Sequence, residues 1–468
     1  MNVLWNSFDS WVSLLKLVPT LSLVSEENLY TTAGVVLEKH LERLNFYTRR
    51  IRRLKLGRFD QNVSTHLYDA VSYSQHKLFP SLRTLMIPAL GELYRDNLNT
   101  LLLTLSSSLS SVRIGGIMSS REVYAASFLH RIPSEARFLV HLHLSGCLSS
   151  VTLDLIDNFN LLETLQLDLE STTFDINMLD SLPNLKHFAL TLDENSSFNY
   201  SSRSTTNPLS LQSLEITGPA AHLFAIIQNV FMTNLTRIKI SLTSFAEDMR
   251  ASLARESFEK FIEHHAASSL QSIQVDKPRG ARMSWKVLTP LSACNQLKHL
   301  KISIDYLNSA RLLRLCQNGE WRTLETLFLA CDRVKPGETG LTIYDLCVFG
   351  HHCPELRVLA LSLECITGRG EIETMRGKET DPKFWLRHRL EKLQLLSLTS
   401  CPDDLAQEAA TKSTKDAVAV SQYIHSLFPH LDELVYPSSV PHDWFDGVED
   451  MLKVYRNIRE NVVKHHAL

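Results

Sequence analysis

Four soft donors fall within seven residues at Cys347, His351, His352 and Cys353. Thiolate and imidazole are the ligands zinc prefers, so this cluster is where metal chemistry would first be sought. Structural zinc sites join two such clusters, or space a pair by two to four residues with a second pair elsewhere, and the eight cysteines of this chain form no CxxC pair. Cys347 and Cys353 stand where a helix-like stretch ends and a Pro-x-Leu phrase begins, a boundary that needs small apolar packing residues. They are therefore expected to be reduced core thiols, with no metal, no cofactor and no disulfide. The pairs His264-His265 and His465-His466 are neighbours in helix-like segments, where adjacent side chains point apart. Asp403-Asp404 and Glu26-Glu27 are likewise adjacent rather than facing, which does not suit general acid–base work. Phosphate-loop, dinucleotide-binding and GxSxG phrases are missing, so the residue types and spacings point away from an enzyme.

The elements that position these residues are legible in a recurring phrase: an apolar residue, two variable ones, an apolar residue, one variable, an apolar residue. It occurs fourteen times, from Ile51-Leu54-Leu56 through Leu162-Leu165-Leu167, Leu297-Leu300-Ile302 and Leu393-Leu396-Leu398 to Leu431-Leu434-Tyr436. The mean spacing is about 29 residues, at the long end of the range for leucine-rich repeats. Alternate residues of a strand face opposite sides, so the last two apolar positions point inward and the residues between them outward. One turn cannot bury its own leucines, and stacking the turns makes a parallel sheet. Between strands, residues 308–318 place Leu312, Leu313, Leu315 and Cys316 on one helical face, as outer covering helices require. The expected fold class is α/β: a leucine-rich-repeat solenoid, or horseshoe, with a concave parallel sheet and outer helices.

Residues 25–51 read as a helix with a stripe of Leu37, Leu41, Leu44, Tyr47 and Ile51, giving an N-terminal helical cap over residues 1–50. The array is expected over 51–445. A capping helix follows over 446–468, with Val448, Met451, Leu452, Tyr455, Ile458 and Val462 as its apolar positions. Residues 193–210, 367–383 and 402–416 break the rhythm and read as loops.

Forty-eight basic against fifty-one acidic residues give a formal charge of −3, which generates no strong field for nucleic acid or anionic lipid. The basic run Arg49, Arg50, Arg52, Arg53, Lys55 and Arg58 suits a helix C-terminus as a solvated face. The N-terminal residues carry no signal-peptide pattern, and no apolar run is long enough to span a bilayer, so a cytoplasmic or nuclear protein is expected, with neither membrane nor nucleic acid as partner.

Several phrases resemble a known family. His352-Cys353-Pro354-Glu355-Leu356, Leu182-Pro183-Asn184-Leu185, Phe79-Pro80-Ser81-Leu82 and Phe428-Pro429-His430-Leu431 resemble the strand-introducing phrases of F-box proteins with leucine-rich repeats. Leu4-Trp5 and Phe46-Tyr47-Thr48-Arg49-Arg50-Ile51 resemble the opening of the fungal branch of that family. The resemblance implies substrate recognition for an SCF-type ubiquitin ligase. It also implies a helical F-box ahead of Leu4-Trp5, where only Met1 to Val3 stand, so docking to a ligase adaptor requires an F-box upstream. The competing expectation is a ligase-independent scaffold that binds protein without delivering it.

A protein partner is expected on the concave face. Early strands project Arg53, Lys55, Arg113, His141, His143, Gln166 and Asp168, a solvated set of mixed sign. Later strands project Thr326 and Phe328, then Val358 and Ala360, then Leu395 and Ser397. Apolar residues on an exposed sheet face mark interaction sites, so these six form the candidate patch.

Overall fold

The computed structural model describes residues 7–10, 12–24, 29–57, 63–64, 77–90, 98–199, 210–229, 232, 234–244, 256–257, 260–261, 270–278, 283–291, 294–318, 321–331, 340–364, 388–399, 414–436 and 442–466. The expected loop over 367–383, and the pairs His264-His265, Asp403-Asp404 and Glu26-Glu27, lie outside them. The chain divides into two compact units, one built from the residues up to His222 with Asn229–Asn234, the other from Leu223–Gln228 and Leu235 onward.

In the first unit the strands Ser7–Phe8, Arg53–Lys55, Thr84–Ile87, Ser111–Ile117, His141–Gly146, Thr164–Leu169, His187–Leu192 and Ser213–Gly218 pair in parallel in that order. In the second unit Arg237–Leu242, Ser272–Asp276, His299–Ile304, Thr326–Cys331, Val358–Glu364, Lys392–Thr399 and Glu433–Val435 do the same. Parallel neighbours require crossovers, and helices and turns supply them, so the fold is an α/β leucine-rich-repeat solenoid.

Register explains why the repeated phrase works. Leu54, Leu85, Val112, Leu142, Leu165, Phe188 and Leu214 are aligned partners across the first unit. Ile238, Ile273, Leu300, Leu327, Leu359, Leu393 and Leu434 are aligned across the second. Every one of these side chains is buried. Each contributes about 1.5–3 kcal/mol of hydrophobic stabilisation that exists only while its neighbours are stacked on it.

The crossovers turn an apolar face to this core. In the helix Glu122–Glu135 the buried residues are Ala125, Phe128, Leu129 and Ile132, at i, i+3, i+4 and i+7. In Ser309–Asn318 they are Leu312, Leu315 and Cys316, whereas Leu313 is exposed, because it falls beside that stripe rather than on it. Two short strands outside the main ladder, Thr173–Asp175 and Ser197–Asn199, pair in parallel. Phe174, wholly buried, stacks on Phe188 at 6.1 Å and on Phe198 at 6.5 Å. Part of the expected loop over 193–210 is therefore ordered as a second, narrower ladder.

Three sequence expectations need correction. Residues 25–51 are not one helix: Leu29–Thr32 is a strand in an antiparallel hairpin with Leu21–Val24, and the helix is Glu38–Thr48. Tyr30, Thr31 and Thr32 tolerate extended backbone and Gly34 weakens any helix continuing from them, and pairing with Leu21–Val24 selects the strand. Leu37 precedes the helix and is exposed, while Leu41 and Leu44 are buried. At the other end the helix His442–His466 buries Phe445, Val448 and Leu452, but Ile458 is 55% exposed. Finally, the strand in Lys392–Thr399 uses Leu390, Leu393 and Leu395 as its repeat phrase, three residues earlier than Leu393, Leu396 and Leu398. The run Lys392-Leu-Gln-Leu-Leu-Ser-Leu offers both readings, and alignment of Leu393 with Leu359 decides between them. No helix among the described residues is long and apolar enough to cross a membrane.

Candidate interaction surface

Because core columns and outward rows alternate, each unit presents one sheet face whose side chains are not claimed by the helices. In the first unit one such row runs Lys55, Met86, Arg113, His143, Gln166, Ala189 and Glu215, with partners aligned strand by strand. The next row carries Ser145, Asp168, Thr191 and Thr217. A polar cluster forms across these two rows. His143 Nε2 donates to Asp168 Oδ2 at 2.7 Å, and Gln166 Nε2 lies 3.3 Å from the same oxygen. The Asp168 carboxyl is held below its ordinary range chiefly by the His143 hydrogen bond, against opposing desolvation, with the Thr191 hydroxyl adding to the effect. The sequence names His143, Gln166 and Asp168 as outward residues but not this junction, which needs the diagonal between neighbouring strands.

In the second unit the equivalent rows are Arg237, Ser272, His299, Thr326, Val358, Lys392 and Glu433, and Lys239, Gln274, Lys301, Phe328, Ala360, Gln394 and Val435. Thr326, Phe328 and Val358 are half-buried on this face, with Thr326 aligned to Val358 and Phe328 to Ala360. Lys301 extends over the Phe328 ring at 5.5 Å and reaches Asp276 at 2.9 Å, so one edge of the ring lies beneath a paired cation.

Two of the expected patch residues are placed differently. Ala360 occupies the outward row, yet only 2% of it is accessible. Leu395 is a core residue, aligned with Leu361 and 5% exposed, because the repeat phrase of its strand starts three residues earlier than the sequence suggests. Ser397 aligns with Ser362 beyond a register shift that follows Leu361. The outward row beyond Ala360 therefore continues with Gln394, and the apolar surface narrows to Phe328 and Val358, edged by Thr326.

The cysteine–histidine cluster is resolved by the helix Leu346–His352. Cys353 follows it and is wholly buried, and desolvation together with the nearby Cys316 thiol pushes its ionisation well upward. Cys347 is half-buried against Tyr423, whose hydroxyl hydrogen-bonds it, while His351 is exposed and its ring meets that of His352 edge-on at 5.2 Å. No group of three or more metal-ligating side chains forms among the described residues. Cys147, Cys294, Cys316, Cys331, Cys347 and Cys353 form no disulfide, and Cys365 and Cys401 lie outside the described residues.

Comparison with known proteins places no family model on this sequence, and no curated protein matches it. Among solved structures, a leucine-rich-repeat protein of Leptospira interrogans is similar at 11% identity, covering 89% of this chain and 91% of that one, with a TM-score of 0.39. An internalin of Listeria monocytogenes aligns at 12% identity over 91% of this chain and 97% of its own, TM-score 0.38. The Rad7 and Elc1 complex of yeast aligns at 15% identity over 70% of this chain and 91% of the matched chain, TM-score 0.32.

Proposed function

We propose that this chain is a protein-binding leucine-rich-repeat module that engages its partner on the outward sheet face of the second unit. One observation carries the reading: Phe328 and Val358, on adjacent strands, interrupt outward rows that are mostly polar, and Thr326 and Lys301 border them. A half-buried aromatic beside a β-branched residue supplies a rigid apolar anchor, and the surrounding Lys301, Asp276 and His299 supply a polar rim. Leu395 is not part of this anchor. In its finer form the reading is substrate recognition for an SCF-type ubiquitin ligase, supported by the Cys-Pro-x-Leu and Phe-Pro-x-Leu phrases that introduce the repeats.

The double variant Phe328→Ala, Val358→Ser tests the surface. Affinity purification from the native source should recover the wild-type partners with the wild type and lose at least one of them with the variant, which keeps the wild-type circular dichroism spectrum. Full retention of every partner by a folded variant removes this face from the binding site. The finer reading is tested by purifying the full-length protein from its own cells. Stoichiometric recovery of a cullin with its adaptor supports the ligase, and partners recovered without either identify a scaffold.

A further inference from the structure

At the edge of the second unit where its strands begin, a cleft of about 590 Å³ is lined by Arg357, Arg389, Glu391, His430, Asp432 and Arg459. Its position follows from the repeat. Arg357, Glu391 and Asp432 are the residues just before three successive strands, and their amides bond up the edge, Glu391 N to Arg357 O at 2.8 Å and Asp432 N to Glu391 O at 2.7 Å. Their side chains are thus stacked about 4.8 Å apart, the spacing of paired strands. Further up the same edge the charges alternate, with Lys298 paired to Glu325 at 3.1 Å before Arg357 is reached. Asp432 breaks the alternation by following Glu391, and the helix His442–His466 answers with two arginines. Arg456 donates to the carbonyls of Leu431 at 2.7 Å and Asp432 at 2.6 Å, fastening the helix to the start of the last strand. Arg459, a turn away, faces the cleft, and its Nη1 is buried without a hydrogen-bond partner among the described residues.

We propose that this cleft binds a phosphate monoester, with Arg459 as the principal donor and Arg357 and Arg389 beside it. The three guanidinium groups come from three separate elements and retain unused donors. Arg357 stands 4.0 Å from Glu391, and among the described residues Arg389 pairs at 3.0 Å with Glu355, outside the cleft lining. A charged donor buried without an acceptor is costly, and an oxyanion in the cleft supplies one when the Arg459 fork turns to meet it. Planar guanidinium forks match phosphate oxygens in pairs, which a compact ammonium cannot do. Phosphate fits better than carboxylate, because three oxygens can reach forks arriving from different sides, and the dianion gains more from three cations while Glu391 and Asp432 each keep a basic neighbour. The cleft is several times larger than a phosphate group, so it has room for the molecule carrying it. That carrier is a phosphorylated protein side chain or a small phosphate ester. The proposal does not depend on the open sheet face being a binding surface.

Calorimetric titration of the full chain with phenyl phosphate, at about 0.1 M ionic strength so that distant charges are screened, tests it. Saturable one-site binding is expected, at least about tenfold tighter than for benzoate. Arg459→Gln should weaken it by about tenfold or more with an unchanged circular dichroism spectrum, and Arg459→Lys should restore only part of the loss. If Arg459→Gln does not fold, Arg389→Gln reads the same loss from a second lining residue. A phosphoserine peptide binding more tightly than inorganic phosphate identifies a protein source, and phenyl phosphate binding without binding of the peptide identifies a small ester. Absence of saturable phenyl phosphate binding, or equal affinity in folded wild type and both glutamine variants, overturns the proposal.

Discussion

Which way a side chain faces, more than its type, decides what each residue does here. Phe328 and Leu329 are neighbours in one strand, yet Leu329 is 1% exposed in the core column and Phe328 stands half-buried on the opposite face. Leu329→Ala should cost about 2–5 kcal/mol, as large-to-small core substitutions do, and Phe328→Ala about 1 kcal/mol or less, a contrast that urea denaturation of the two variants measures directly. The outward face of the first unit carries a titration. His143 holds the Asp168 carboxyl below its ordinary range, so the pair stabilises the folded state above the unfolded carboxyl pKa near 3.8. That contribution is lost as pH falls through the lower, folded value. His143→Ala should raise the Asp168 pKa in an NMR titration and shrink the acid-side loss of stability, by about 0.5–1 kcal/mol, since the pair is partly solvated.

At the level of the single element, one glycine shows how tightly successive turns are fitted. Gly146 ends its strand at φ +125° and is paired with Ile117 across a register shift. A Cβ at this position would lie 2.3 Å from the Ile117 carbonyl oxygen and 2.6 Å from its amide nitrogen, both backbone atoms that cannot swing aside. The amide of Cys147 donates to that same carbonyl at 2.7 Å, so any relief by movement breaks a strand-end bond. Gly146→Ala should therefore destabilise by about 1–3 kcal/mol, combining the unfavourable φ with the collision, and should lower the thermal midpoint accordingly. Just beyond it, two buried hydroxyls serve neighbouring turns: Thr172 Oγ1 accepts from Leu148 N, and Ser196 Oγ accepts from Thr172 N, each at 3.3 Å. Backbone amides between repeats are thus satisfied by side chains one turn further along, a pattern a single repeat cannot display.

Across the whole molecule, stability is shared between adjacent turns rather than held in one centre. Leu300→Ala removes a fully buried side chain from the second unit's column. In hydrogen exchange it should reduce protection most in the flanking strands Ser272–Asp276 and Thr326–Cys331 and less in Lys392–Thr399, whereas uniform loss across that unit would contradict nearest-neighbour coupling. The sequence by itself determined the repeat, the inward leucines and the parallel ladder, because a period-2 apolar phrase has one face that must be buried wherever it recurs. It also determined the outward rows wherever the phrase is unambiguous, as at Thr326, Phe328 and Val358. The tertiary structure alone decided the cases where a local pattern allowed two answers. Leu390, Leu393 and Leu395 supply the repeat phrase because Leu393 must align with Leu359, and Leu395 is thereby removed from the surface. Residues 29–32 form a strand because Leu21–Val24 lies beside them. Arg459 meets Arg357 and Arg389 because a C-terminal helix passes the edge where the strands begin, a meeting of residues 102 and 70 positions apart in the chain that no spacing along the sequence encodes.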